Sequence, residues 1–156
     1  METTSQSRAG DLTGDIAVVL ITIAQLIFFV YYSRFISWPV TAPDGTVTRI
    51  SLLTDNYSAW LRFPIVASVI VVVASIIVMV SGSEPIRHAA GMVFSILGLT
   101  VVVSALVLAP FDFSVLPNPT AARIVPKVVN GIFVFMALFY SVSTVLQFRK
   151  LLSSLR

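Results

Sequence analysis

The chain has 156 residues, a length that suits about one domain. It is 57% hydrophobic and only 11% charged, with a mean hydropathy of +0.97, whereas soluble domains carry about 25% charged residues. This composition excludes a soluble globule and a disordered chain, and the absence of cysteine excludes a disulfide-stapled secreted domain. What remains is an integral membrane protein.

Residues 1–14 are rich in Thr, Ser, Gln and Gly without an apolar period, and read as a mobile polar N-terminal tail. Residues 15–149 read as the membrane domain. A spanning helix needs roughly 20 apolar residues, because the hydrocarbon layer is about 30 Å thick and each residue rises about 1.5 Å. Residues 16–36 meet this first. The acidic Glu2, Asp11 and Asp15 outnumber Arg8 ahead of the segment, and Arg34-Phe35-Ile36-Ser37-Trp38 follows it, so it reads as a retained helix and not a signal peptide.

The first long loop is 37–60. In it, Val40-Thr41-Ala42 and Thr46-Val47-Thr48-Arg49-Ile50 read as short strands around a Pro43-Asp44-Gly45 turn. A lone hairpin is marginal in water, so it should lean on the helix ends or on a partner. Trp38, Tyr57 and Trp60 flank it and are expected to anchor at headgroup depth. Asn56-Tyr57-Ser58 matches a glycosylation acceptor, a weak signal at three letters.

The second span is expected over 61–81, with Pro64 in its first turn, and the third over 86–109, after Ser83-Glu84-Pro85 and stopping at Pro110. Pro110, Pro117 and Pro119 argue against regular structure in the loop 110–125, yet Phe111, Phe113, Val115 and Leu116 are apolar. Such a segment belongs on the membrane surface or over the bundle end, since unpaired backbone is not tolerated in lipid. The fourth span is expected over 126–148, closed by Arg149-Lys150, and 150–156 is a short basic C-terminal tail. The expected fold is an all-α, four-transmembrane-helix antiparallel bundle with a small β-hairpin.

Four spans put both termini on one side. Arg8, Arg87, Arg149, Lys150 and Arg156 fall there, against Arg34, Arg49, Arg62, Arg123 and Lys127 on the loop side, so the basic count ties. The two longer loops lie opposite the termini, which tips the expectation towards cytoplasmic termini in a multi-pass cell-membrane protein.

Lipid tails are as apolar as leucine, so membrane helices associate through close packing that small residues permit. Ser68, Ser75 and Gly82 in the second span, and Gly91, Gly98 and Ala105 in the third, recur every seven residues. An antiparallel pairing of Gly82 with Gly91, Ser75 with Gly98 and Ser68 with Ala105 keeps a constant register, and these six are expected to form the helix-packing seam. Spans one and four are bulkier and more aromatic. Tyr31, Tyr32, Asn130 and Phe133, with the basic Arg123 and Lys127, mark a speculative lipid or quinone cluster in the loop-side leaflet, weighed against simple ring packing.

The spans hold no Asp, Glu, Lys or Arg in their middles, which leaves no proton relay or ion path of the usual kind. The single histidine, His88, excludes bis-histidine haem ligation, and no cluster suits zinc or di-iron. No nucleophile–base constellation and no phosphate-cradling glycine loop is visible. No catalytic residue, metal or cofactor is therefore expected. Gln25 and Asn130 are expected to hydrogen-bond across helices. The net charge of +3 is spread too thinly for nucleic acid. Tetraspanin-like and claudin-like chains rest their outer loops on cysteine pairs, which are missing here.

By elimination, the expected role is a non-catalytic structural or accessory subunit of a larger membrane complex, its partners being the bilayer and other membrane subunits or copies of itself. One alternative is a small homo-oligomeric channel or transporter lined by Asn130, Ser141 and Thr144. The other is a lipid- or quinone-binding membrane protein.

Overall fold

The computed structural model describes residues 2–32, 36–41 and 44–155, the side chains of 2–12 and 32 excepted. Helix α1 covers Glu2–Ile27 and runs into a wider π-helical turn, Phe28–Tyr32. Residues 2–14, expected as a separate tail, instead continue this helix. No proline interrupts them, and Gly10 and Gly14 each cost about 1 kcal/mol without ending a helix. Regular α-helix gives way to the π-helical turn after Ile27, and residues 33–35, near the expected end of the first span, lie outside the described residues.

Strand β1 (Ser37–Thr41) pairs antiparallel with β2 (Val47–Ser51), Ser37 opposite Ser51 and Thr41 opposite Val47. The hairpin is the expected one, begun three residues earlier; Ala42 and Pro43 of its turn lie outside the described residues. Asp44 Oδ1 accepts from the Thr46 N–H at 3.0 Å and from its hydroxyl at 2.6 Å, while Gly45 supplies the positive φ of 81°.

Helix α2 covers Tyr57–Ser81, α3 covers Glu84–Leu108 and α4 covers Pro119–Ser154. Two of these starts correct the sequence reading. Pro64, expected in a first turn, and Pro126, expected as the start of the fourth span, both lie inside their helices. In α4 the first-turn proline is Pro119, behind Asn118, whose Oδ1 accepts from the Thr120 and Ala121 N–H groups at 2.9 and 3.3 Å. The stretch expected as the end of the loop 110–125, and most of the C-terminal tail, are therefore helical.

These four helices are long and apolar enough to cross a membrane. At about 1.5 Å per residue, the 25 residues of α2 and of α3 each span roughly 37 Å. Neighbours pack in chain order, α1 on α2, α2 on α3 and α3 on α4, and α1 shares no extended interface with α4 among the described residues. The bundle is therefore open, with a groove between its first and last helices.

The turn between α2 and α3 is as short as it can be. Gly82 takes φ of 59° and gives its N–H to the Val78 carbonyl at 3.0 Å, and Ser83 is already extended. This position fixes the α2–α3 register. Gly82 caps the turn and cannot lie opposite Gly91, which sits two turns up α3. Ser75 shares a cleft with Gly91, and Ser68 shares one with Gly98. The expected pairing is thus shifted by one heptad.

The α3–α4 seam was not foreseen. A Cβ on Gly98 would lie 2.5 Å from Cε1 of Tyr140, and one on Gly91 would lie 3.0 Å from Cδ of Gln147. Between them, the Ser95 and Ser143 hydroxyls meet at 2.8 Å. Steps of four and three residues along α3 are met by equal steps back along α4, as antiparallel packing requires. Ala105 and Phe133 continue the series in the aromatic core. Small residues of α3 therefore receive large ones of α4.

The core lies at the loop end. Tyr57 and Trp60 are 7% and 3% exposed, so two of the three rings expected as headgroup anchors are the most deeply packed aromatics described, while Trp38 stays exposed. Phe29 meets Trp60 edge-on at 5.5 Å between centroids, and Phe111 meets it at 5.9 Å. The Tyr57 hydroxyl donates to the Phe29 carbonyl in the π-helical turn (3.1 Å), and the Trp60 Nε1–H donates to the Val101 carbonyl (3.4 Å). Because α2 begins at Tyr57, four residues earlier than expected, its first turn carries these rings inward.

Over this core the two long loops join. Leu53 forms an antiparallel bridge with Phe111, and the Asp112 N–H donates to the Leu52 carbonyl at 2.8 Å. The Thr54 hydroxyl and the Asn56 amide donate to the Ala109 and Leu108 carbonyls, both at 3.0 Å. The last carbonyls of α3, which a helix leaves unpaired, are thereby satisfied by a loop 52 to 55 residues away. The amide of the glycosylation match is thus engaged in a cap.

Candidate functional site

The residues singled out as a lipid or quinone cluster do not converge. Phe133 packs against the aromatic core, but Tyr31 is 67% exposed, Asn130, Arg123 and Lys127 are exposed, and the Tyr32 side chain lies outside the described residues. The α3–α4 register explains the spread. Leu108, the last residue of α3, falls level with Asn130, so Arg123 and Lys127 belong to turns of α4 that project beyond α3. Asn130 makes no hydrogen bond with a described residue, contrary to the expected interhelical bond. In the proposed pore stripe, the Ser141 and Thr144 hydroxyls donate to the carbonyls of Ala137 and Tyr140 in their own helix, both at 2.8 Å.

Polar groups gather instead in the groove between α1 and α4, floored by α2 and α3. Its terminal-side cleft, about 250 Å³, is lined by Asp15, Ser75, Arg87, His88, Gln147 and Lys150, among others. Arg87 Nη2 lies 3.4 Å from Asp15 Oδ2, tying α3 to α1. The His88 ring has Gln147 Oε1 3.3 Å from Nδ1 and Glu84 Oε1 3.6 Å from Nε2. An oxygen thus faces each ring nitrogen, and the imidazole joins α3 to α4. The Gln147 amide is held in place against the bare Cα of Gly91.

The second cleft, about 290 Å³, lies deeper along the same groove, with Phe94 lining both. All four helices contribute to it: Thr22 and Gln25 from α1, Pro64 and Ser68 from α2, Ser95 and Gly98 from α3, Met136 and Tyr140 from α4. No charged side chain lines it. The Thr22 hydroxyl is satisfied by the Val18 carbonyl at 2.7 Å, and that of Ser95 by the Gly91 carbonyl and by Ser143. Ser68, Gln25 and Tyr140 have no hydrogen-bonding partner for their side chains among the described residues. Ser68 is 91% buried, yet its hydroxyl is not sealed off, because no fully occluded side-chain polar atom lacks a partner. Its free hydrogen-bonding capacity is therefore turned into the cleft. In the terminal-side cleft Ser75, 3% exposed, is in the same position.

Among the described residues no three His, Cys, Asp or Glu side chains group to hold a metal, and His88 addresses an amide and a carboxylate, with no serine as partner. Sequence reasoning missed this groove because its polar residues come from four separate helices. The one available signal was the pair Ser68 and Ser75, which was read as a packing seam. Compared with protein-family models, with curated proteins and with solved structures, the chain matches none.

Proposed function

We propose that this chain is a non-catalytic structural or accessory component of a larger membrane assembly, acting through the surfaces it presents. The observation that carries this reading is the platform at the loop end. Two long loops that could have been loose are joined by the Leu53–Phe111 bridge and fastened to α3 through Thr54 and Asn56. Ordering a loop costs about 1–2 kcal/mol per residue in backbone entropy, so a fixed surface of this kind suits a docking role. Extraction in mild detergent tests it. A partner should co-purify and be lost when Thr54 and Asn56 are replaced together by Val and Leu. A wild-type chain recovered only as a lone monomer overturns the reading.

A second reading, a membrane protein that holds a lipid, is favoured by a different observation: the buried hydroxyls of Ser68 and Ser75 that face the groove without a partner among the described residues. Delipidation should lower the melting temperature of the wild-type protein, and adding lipid back should restore it. A melting temperature indifferent to lipid overturns this reading.

A further inference from the structure

We propose that the deeper cleft between α1 and α4 is a binding site for an uncharged, membrane-soluble carbonyl compound of the quinone class. This rests on the second reading above and names its ligand.

The chemistry of the lining selects the class. Three side chains bring donors with no acceptor among the described residues: the hydroxyl of Ser68, the amide of Gln25 and the phenol of Tyr140. An unsatisfied donor in an apolar setting is costly, so a ligand bearing acceptors is favoured here. No charged residue lines the cleft, so the ligand carries no net charge. A phosphodiester headgroup is therefore disfavoured, and a plain acyl chain would leave all three donors unmet.

Geometry narrows the class further. Ser68 and Gln25 stand on α2 and α1, whereas Tyr140 stands on α4. The Tyr140 ring is laid over Gly98, with Cζ, the carbon bearing the hydroxyl, 2.6 Å from where a Cβ would be. A flat ring with carbonyls at opposite ends can accept from both walls at once. Phe94, Leu97 and Met136 supply apolar surface for its faces. At about 290 Å³ the cleft is at the small end of ligand pockets, which run about 300–1,000 Å³, so it takes a headgroup and leaves the tail outside. The tail has an exit, since α1 and α4 do not close against each other. The earlier cluster at Tyr31, Asn130 and Lys127 lies closer to the loop end, and none of its residues lines this cleft.

The test uses the full chain in mild detergent, with organic extraction and mass spectrometry of what stays bound, and melting curves with added decyl-benzoquinone. Wild-type protein should retain up to one quinone per chain, and decyl-benzoquinone should raise its melting temperature. The near-isosteric set Ser68→Ala, Gln25→Leu and Tyr140→Phe should cut quinone retention at least tenfold. Ser141→Ala, outside the groove, should not. If the triple variant does not fold, Ser68→Ala alone carries the same prediction with a smaller loss. Retention of phospholipid alone, with no shift on adding the quinone, overturns the quinone assignment and leaves lipid binding standing. If a water-soluble maleimide labels Ser68→Cys and no lipid of any kind is retained, the cleft is water-filled and both fall. Equal quinone retention in wild type and triple variant also overturns the site.

Discussion

Gly98 is the position where one added carbon is felt most. Its Cβ would lie 2.5 Å from the Tyr140 ring, well inside contact distance, so Gly98→Ala must displace the ring or spread α3 from α4. Overpacking of this kind costs about 1–3 kcal/mol. Gly98→Ala should lower the melting temperature in detergent, and removing the ring with Tyr140→Ala in the same chain should recover part of the loss. A loss that the second change leaves untouched would place the strain elsewhere. Gly91→Ala meets only a side-chain amide at 3.0 Å and should be milder. Two exposed turns give a pH prediction. Hydrogen bonds from the Thr46 hydroxyl and amide hold Asp44 below its ordinary pKa, and those from Ser114 do the same for Asp112. A lowered folded-state pKa contributes stability that is complete above the ordinary carboxylate value of about 3.9 and disappears as pH falls through the lowered value. Amide-exchange protection at Thr46 and Ser114 should therefore be level from neutral pH to about 5 and decline in stronger acid. Asp44→Asn should remove the acid dependence at Thr46.

Among elements, the end of α3 is the most dependent on distant residues. Thr54→Val and Asn56→Leu each remove one donor from a carbonyl of its last turn, at a cost of about 1–3 kcal/mol where that carbonyl stays dry. Both should destabilise the protein and loosen the Leu53–Phe111 bridge, read as faster exchange of the Asp112 amide. Unchanged exchange would show that the loops hold without the caps. The four helices were legible in the sequence, because an apolar run of twenty residues has few other destinations. Their starts were less so, since a proline suits a first turn but is also tolerated inside, and Asn118 outweighed Pro126 as the signal. The α3–α4 seam was illegible for a different reason. Small residues reveal that something approaches closely, and whether it is another small residue or a ring such as Tyr140 depends on a register that only the turn at Gly82 sets. The candidate site shared that fate, being assembled by registers rather than by any local run.

At the scale of the whole molecule, the order of packing decides the shape. If all four helices cross, Gly45 and Ser114 fall on one side and Ser83 on the other, and a chain free of cysteine makes this easy to check. Single cysteines at 45 and 114 should react with an impermeant thiol reagent from the same side of sealed vesicles, and one at 83 from the opposite side. Agreement of 45 with 83 would undo the four-crossing topology. The loop-side end is also where stability concentrates, so Trp60→Ala, which empties the aromatic core and breaks the bond to the Val101 carbonyl, should cost about 3–5 kcal/mol. Helix α1 stands differently. It lies along α2, receives the Tyr57 hydroxyl at one end and clasps Arg87 through Asp15 at the other, and has no buried residue within its span. Detached from the rest, it leaves the α2–α3–α4 seams whole. The protein is therefore divisible: a three-helix body and a separately synthesised first helix should reassemble on mixing, with the helix acting as a removable wall.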